Sequence, residues 1–135
     1  MHKSILFILS FVILISTVAC GNNTTKEKST GDMYSTMYEA SGLEEKYWNS
    51  YANCINYIEN NFPNSEIDLE TVSVLTLKEE EKESVFIVVE GVKDYFANSE
   101  DKHWKFTIGD TSGHNFCILI CNSKNNDVIG YIPIE

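Results

Sequence analysis

At 135 residues the chain has room for one domain. Twenty Asp and Glu stand against ten Lys, with no Arg, and the formal charge of −10 excludes the basic, Arg-forked surface of a nucleic-acid binder. Charged residues at 22% and aromatics at 12% exclude a wholly disordered chain, and four Cys are too few for a disulfide-built mini-fold of this length.

The chain opens with His2 and Lys3, followed by an apolar run from Ile5 to Ile15 broken by Ser10. A membrane-spanning helix needs ~20 apolar residues, so this run fits the apolar region of a secretory signal instead. Ser16-Thr17-Val18-Ala19-Cys20-Gly21 follows. This segment resembles the lipobox of bacterial lipoproteins, in which small residues precede an obligatory Cys. The resemblance implies that Cys20 receives a diacylglyceryl group, that residues 1–19 are removed, and that the chain is held on the extracytoplasmic face of the cell membrane. Thr17 departs from the pattern, which usually has Leu there. Cleavage after Ala19 by an ordinary signal peptidase and an uncleaved anchor are the alternatives. Two acyl chains hold a protein where one would exchange, since each buried methylene adds ~0.8 kcal/mol.

Gly21 to Asp32 reads GNNTTKEKSTGD. Without an apolar side chain it has nothing to bury against the entropy of ordering. As a flexible coil it reaches roughly 19 Å. The chain thus divides into a signal peptide (1–19), a lipidated Cys and tether (20–32) and one domain (33–135). Loss of Lys3 makes the mature chain one unit more negative. Anionic lipid would repel it, so the lipid on Cys20 must supply the attachment.

Ser41-Gly42-Leu43-Glu44 matches a capping box. Leu43, Tyr47, Tyr51, Cys54, Ile55, Ile58 and Phe62 then fall on one helical stripe, which Asn60, Asn61 and Pro63 end. Upstream, Met33, Tyr34, Met37 and Tyr38 fit an extra helical turn or an arm laid over the domain. From Glu66 the period changes to two. Thr71–Leu77, Val85–Val92, Trp104–Ile108, Phe116–Cys121 and Val128–Ile134 are β-rich runs with polar joints. Short joints favour antiparallel neighbours, and KEEEKES reads as a solvated hairpin tip. The expected fold is α+β: one long N-terminal helix packed on an antiparallel four- to five-stranded meander sheet. This order of elements resembles cystatin-like and nuclear-transport-factor-like small domains, a likeness that implies a fold and no activity.

Both faces of the expected sheet are apolar. Val85, Ile87 and Val89 alternate with Phe86, Val88 and Val92, and Phe116, Ile118 and Ile120 with Cys117, Leu119 and Cys121. One helix covers one face. The other must meet the arm, curl into a cavity, face a partner, or bend so that its residues pack inward. Phe86, Val88, Met33, Tyr34, Met37 and Tyr38 are the candidate ligand or partner surface.

Cys117 and Cys121 share a strand face but lie ~13.6 Å apart, beyond the ~7 Å between Cα atoms that a disulfide allows. Cys54 can therefore pair with Cys117 or with Cys121, or all three remain buried thiols. No zinc-ligand spacing occurs. Asp110, Thr111, Ser112 and His114 share one turn, but a nucleophile pair there lacks an orienting acid and an oxyanion site. His103 reads as an edge residue. No phosphate-cradling Gly loop is present, and no cofactor is expected. The chain reads as a lipid-anchored extracytoplasmic binding or interaction module without catalytic residues. Its expected contacts are the membrane, through the lipid on Cys20, and a protein or peptide partner, cationic by charge complementarity. The alternatives are an inhibitor or immunity-type lipoprotein and a small hydrolase using His114 or His103.

Overall fold

The computed structural model describes residues 30–92 and 94–135. The leader, Cys20 and the tether to residue 29 lie outside these. The elements are helix α1 (Thr30–Ser41), a 3-10 turn (Glu45–Tyr47), helix α2 (Trp48–Asn61), strand β1 (Val72–Thr76), a 3-10 helix (Glu79–Ser84), strand β2 (Phe86–Ile87), a 3-10 turn (Tyr95–Asn98), and strands β3 (His103–Gly109), β4 (Phe116–Asn122) and β5 (Val128–Ile132). Tyr34 to Glu135 form one compact unit. No helix among the described residues is long and apolar enough to cross a membrane.

The chain is α+β, with a helix on an antiparallel five-stranded sheet. Tyr51, Cys54, Ile55 and Ile58 are buried on α2 at the spacing of one helical stripe. The helix stops at Asn61, ahead of Pro63. It is not the first helix, because α1 precedes it and begins inside the expected tether. The capping box does not form. Ser41 ends α1 and its hydroxyl donates back to the Tyr38 carbonyl at 2.7 Å. Glu44 pairs with Lys46 at 2.8 Å instead of reaching a helix amide. Gly42, at φ +67, supplies the left-handed residue that commonly closes a helix.

The sheet is not a simple meander. Its order is β1-β3-β4-β5-β2, so only β3, β4 and β5 follow one another as neighbours. KEEEKES is not a hairpin tip: it winds as the 3-10 helix that starts a crossing from one sheet edge to the other. Of Val85–Val92 only Phe86 and Ile87 pair, opposite Tyr131 and Gly130. β1 forms the other edge and leaves Leu75 61% exposed.

Two cores lie on the two sides of the sheet. On the helix side Tyr51, Cys54, Ile55 and Ile58 pack against Phe106, Ile108, Leu119 and Cys121. On the reverse side Ile120 and Ile129 pack with Leu77, flanked by Val85, Ile87, Tyr95 and Phe96. The reverse face is therefore covered at this centre by the β1–β3 connection, which no reading of the apolar runs anticipated. The arm belongs to the opposite side: Tyr34, Met37 and Tyr38 pack against the helix-side core. Tyr38 stacks on Trp48, with ring centroids 5.0 Å apart.

Gly130 is the point where β2 lies closest over β5. A Cβ there would collide with the Phe86 carbonyl oxygen and sit 2.8 Å from Val85 Cγ1. We therefore expect Gly130→Ala to push β2 off the sheet edge. Chemical denaturation should show a loss of about 1–3 kcal/mol, the cost of overpacking a close contact, while Leu75→Ala at the open edge should change stability by less than about 0.5 kcal/mol.

Candidate functional site

α2 ends while the sheet beneath it continues. After Asn61 the chain leaves the helix axis through Phe62, Pro63 and Asn64. The start of β4 and the end of β5 extend past that point and have no helix over them. The result is a cavity of about 520 Å³. Its floor is sheet: Phe116, Cys117, Leu119 and Tyr131. One wall is the loop after α2, through Phe62 and Ile67; another is the segment Ile132, Pro133 and Ile134. Asn64, Ser65, Glu66, His114 and Asn115 supply the polar lining. The cavity is mostly apolar, with a few polar groups concentrated in two loops, the usual make-up of a small-molecule site.

Its electrostatics are simple. Glu66 is the only carboxylate lining it, among the described residues, and no Lys joins it. Burial pushes the Cys117 thiol up to about 11, so this sulfur is a neutral thiol at physiological pH and a poor nucleophile. The sulfur on the cavity floor is therefore uncharged near neutrality.

The His114 turn is a hairpin connection between β3 and β4. Asp110 Oδ1 accepts the Ser112 amide at 2.8 Å, and that hydrogen bond holds the Asp110 carboxyl below its ordinary range. Asp110 thus acts on its own turn and not on a nucleophile. Gly109, at φ +105, permits the exit from β3. His103 and His114 flank β3 at opposite ends, on the order of 20 Å of strand apart, so they do not form one site.

His103 is buried on the reverse face and is not an edge residue. Its ring meets those of Tyr95 and Phe96 edge-on, at centroid distances of 5.5 and 5.1 Å. Nε2 lies 3.4 Å from the Tyr95 hydroxyl. Asn122 donates to the same hydroxyl at 2.9 Å and to Asp101 at 3.0 Å. This group of side chains latches the β1–β3 connection to the sheet. Beside it Lys105 is paired with Glu81, and this hydrogen bond, with one from the Lys78 amide, lowers the Glu81 carboxyl. Part of the acidic run is therefore tied down and not merely solvated.

The other residues singled out from the sequence are dispersed. Phe86 is 60% exposed and stacks on Tyr131, at 5.7 Å between ring centroids, which places it beside a residue of the cavity floor. Val88 is half-buried, and its amide donates to Ile129. Tyr34, Met37 and Tyr38 are half-buried and pack against the helix-side core. The side chain of Met33 lies outside the described residues. Cys54 and Cys121 bring their sulfurs to 3.4 Å, and Cys117 stands apart from them. No group of three or more His, Cys, Asp or Glu among the described residues could hold a metal ion. Sequence reasoning missed Phe62, Glu66, Ile67, Pro133 and Ile134 as cavity residues, because they share no period and come from separate segments. No known family, curated protein or solved structure matches the chain.

The latch makes stability depend on pH. Burial lowers the His103 pKa, and the nearby Lys82 charge adds to this. Between the folded and unfolded pKa values the unfolded chain binds the extra proton, so stability is full above the unfolded value of about 6.5 and falls as pH drops through the folded one. We expect the thermal midpoint to fall between about pH 7.5 and about pH 5.5, and His103→Gln to flatten that difference. An unchanged pH dependence in the variant would assign the effect elsewhere.

Proposed function

We propose that the chain is a lipid-anchored extracytoplasmic binding module whose ligand enters the cavity at the end of α2. The observation that carries this reading is the cavity itself: about 520 Å³ of mostly apolar space, floored by the sheet. The lipobox-like segment ending at Cys20 and the apolar-free stretch behind it support attachment by lipid. The ligand class follows from the lining. Phe62, Ile67, Phe116 and Leu119 suit an apolar body. Asn64, Ser65 and Asn115 offer hydrogen bonds to a polar end, and Glu66 disfavours an anionic one. The ligand is therefore a small apolar or amphiphilic molecule with a neutral or cationic head.

Catalysis by His114 has less support. It lines the same cavity, but the neighbouring Cys117 is held as a thiol and Asp110 is engaged with Ser112. The alternative of an inhibitor or immunity role rests on the acidic surface, where Glu79, Glu80, Glu83 and Asp94 border a second cavity.

Two outcomes follow. Cys20→Ser should move the protein from the membrane fraction to the soluble or secreted fraction; unchanged fractionation would refute the lipid anchor. Separately, a neutral apolar dye such as Nile red should bind the full chain, and an alkylammonium should compete with it at least ~10-fold better than the carboxylate of equal length. Cys117→Phe should fill the cavity and weaken dye binding at least ~10-fold while the circular dichroism spectrum is retained. Dye binding that survives Cys117→Phe in a folded variant would remove the cavity from the account.

A further inference from the structure

The cysteines do not behave alike. Cys54 comes from the middle of α2 and Cys121 from β4, and both are fully buried. Their sulfurs are 3.4 Å apart, about the contact distance of two non-bonded sulfur atoms. Cys121 Sγ also lies 3.8 Å from the Ser50 carbonyl oxygen. With the Cys121 proton directed to Ser50, Cys54 donates to Cys121. Cys117 shares the strand and the face, but four residues along β4 it faces the cavity.

We infer that Cys54 and Cys121 form a dithiol site that a disulfide-donating oxidant joins, linking α2 to β4 and leaving Cys117 as the free thiol of the domain. A bond needs the sulfurs at about 2.0 Å, a closure of roughly 1.4 Å from their present separation, within reach of side-chain torsions and a small helix shift. In the reaction one Cys thiolate attacks a sulfur of the donor disulfide and releases one donor thiol. The second Cys thiolate then attacks the mixed disulfide, forms the Cys54–Cys121 bond and releases the other donor thiol. Two thiol protons leave the protein, and the two electrons reduce the donor to a pair of thiols. The Ser50 carbonyl loses the thiol contact but keeps its place in the helix ladder of α2.

Burial sets when this can happen. Both sulfurs are closed to solvent in the folded chain, and burial, together with the hydrogen bond to Cys121, holds the Cys54 thiol protonated. Oxidation is therefore fast while the chain folds and slow afterwards, since it must wait for α2 to open. The same burial shields the bond once formed. Because the bond closes a long loop between the helix and the centre of the sheet, it removes much of the unfolded chain's freedom. The inference is independent of what occupies the cavity.

The test uses the full chain carrying Cys20→Ser, refolded from its reduced state in a mixture of oxidised and reduced glutathione. We expect one reactive thiol after unfolding, a mass lower by two hydrogens, and a proteolytic fragment linking the Cys54 and Cys121 peptides. The thermal midpoint should rise by on the order of 10–20 °C over the reduced chain. Native reduced chain given the same mixture should oxidise much more slowly. Cys117→Ser should keep the linked fragment. Three reactive thiols after oxidative refolding would overturn the inference, as would loss of the linked fragment in Cys117→Ser. The peptide map needs no Cys54 or Cys121 variant, so misfolding of such a variant cannot obscure the result.

Discussion

Strand β4 is buried on both faces, and the rest of the molecule is arranged around that fact. Leu119 and Cys121 face α2, while Ile120 faces Leu77 and Ile129 on the other side. A strand apolar on both faces must be enclosed by two layers. Among the described residues α2 supplies one of them, with Tyr34, Met37 and Tyr38 of α1 packed on the same side. The second layer comes from the β1–β3 connection, which carries Val85, Ile87, Tyr95 and Phe96 across the reverse face. That need explains the crossing topology. A hairpin between β1 and β2 would have kept those residues on one edge and left Ile120 and Ile129 in water.

The polar groups in this second layer follow from its irregularity. A connection without a continuous ladder must satisfy its polar groups by side chains. Asn122 does so for Tyr95 and Asp101, and the Lys105–Glu81 pair seats the 3-10 helix. Among the described residues no buried side-chain nitrogen or oxygen lacks a partner. The helix side has the opposite character. There the layer is regular but short, and the cavity begins where α2 ends.

What the sequence made legible depended on periodicity. Tyr51, Cys54, Ile55 and Ile58 were readable as a buried stripe because a helix repeats its face over several turns. β3, β4 and β5 were readable within a residue or two of their ends, because alternation and turn chemistry agree there. β2 was not, since a two-residue strand has no period to detect. The order of the strands was hidden as well: it is decided by which apolar faces need covering, a tertiary demand that outweighs the preference of short joints for adjacent strands. Ser41 and Glu44 had the spacing of a cap, but spacing does not say which way a hydroxyl donates. The cysteines show the same limit. Strand geometry ruled out a Cys117–Cys121 bond, yet only the placement of α2 over β4 singles out Cys121.

The pairing of β2 with β5 has a consequence for how the molecule breathes. β3, β4 and β5 are joined by connections of a few residues, so their ladders reform quickly whenever they open. β2 is held by two residue pairs at the far end of a long excursion, the kind of segment that opens at low free-energy cost. Its amides belong among the fast-exchanging ones, and those of β4 among the slowest. Each such opening lifts Ile87 from Ile120 and Ile129. The reverse face, closed in the average structure, is thereby intermittently an apolar surface next to a newly unpaired strand edge.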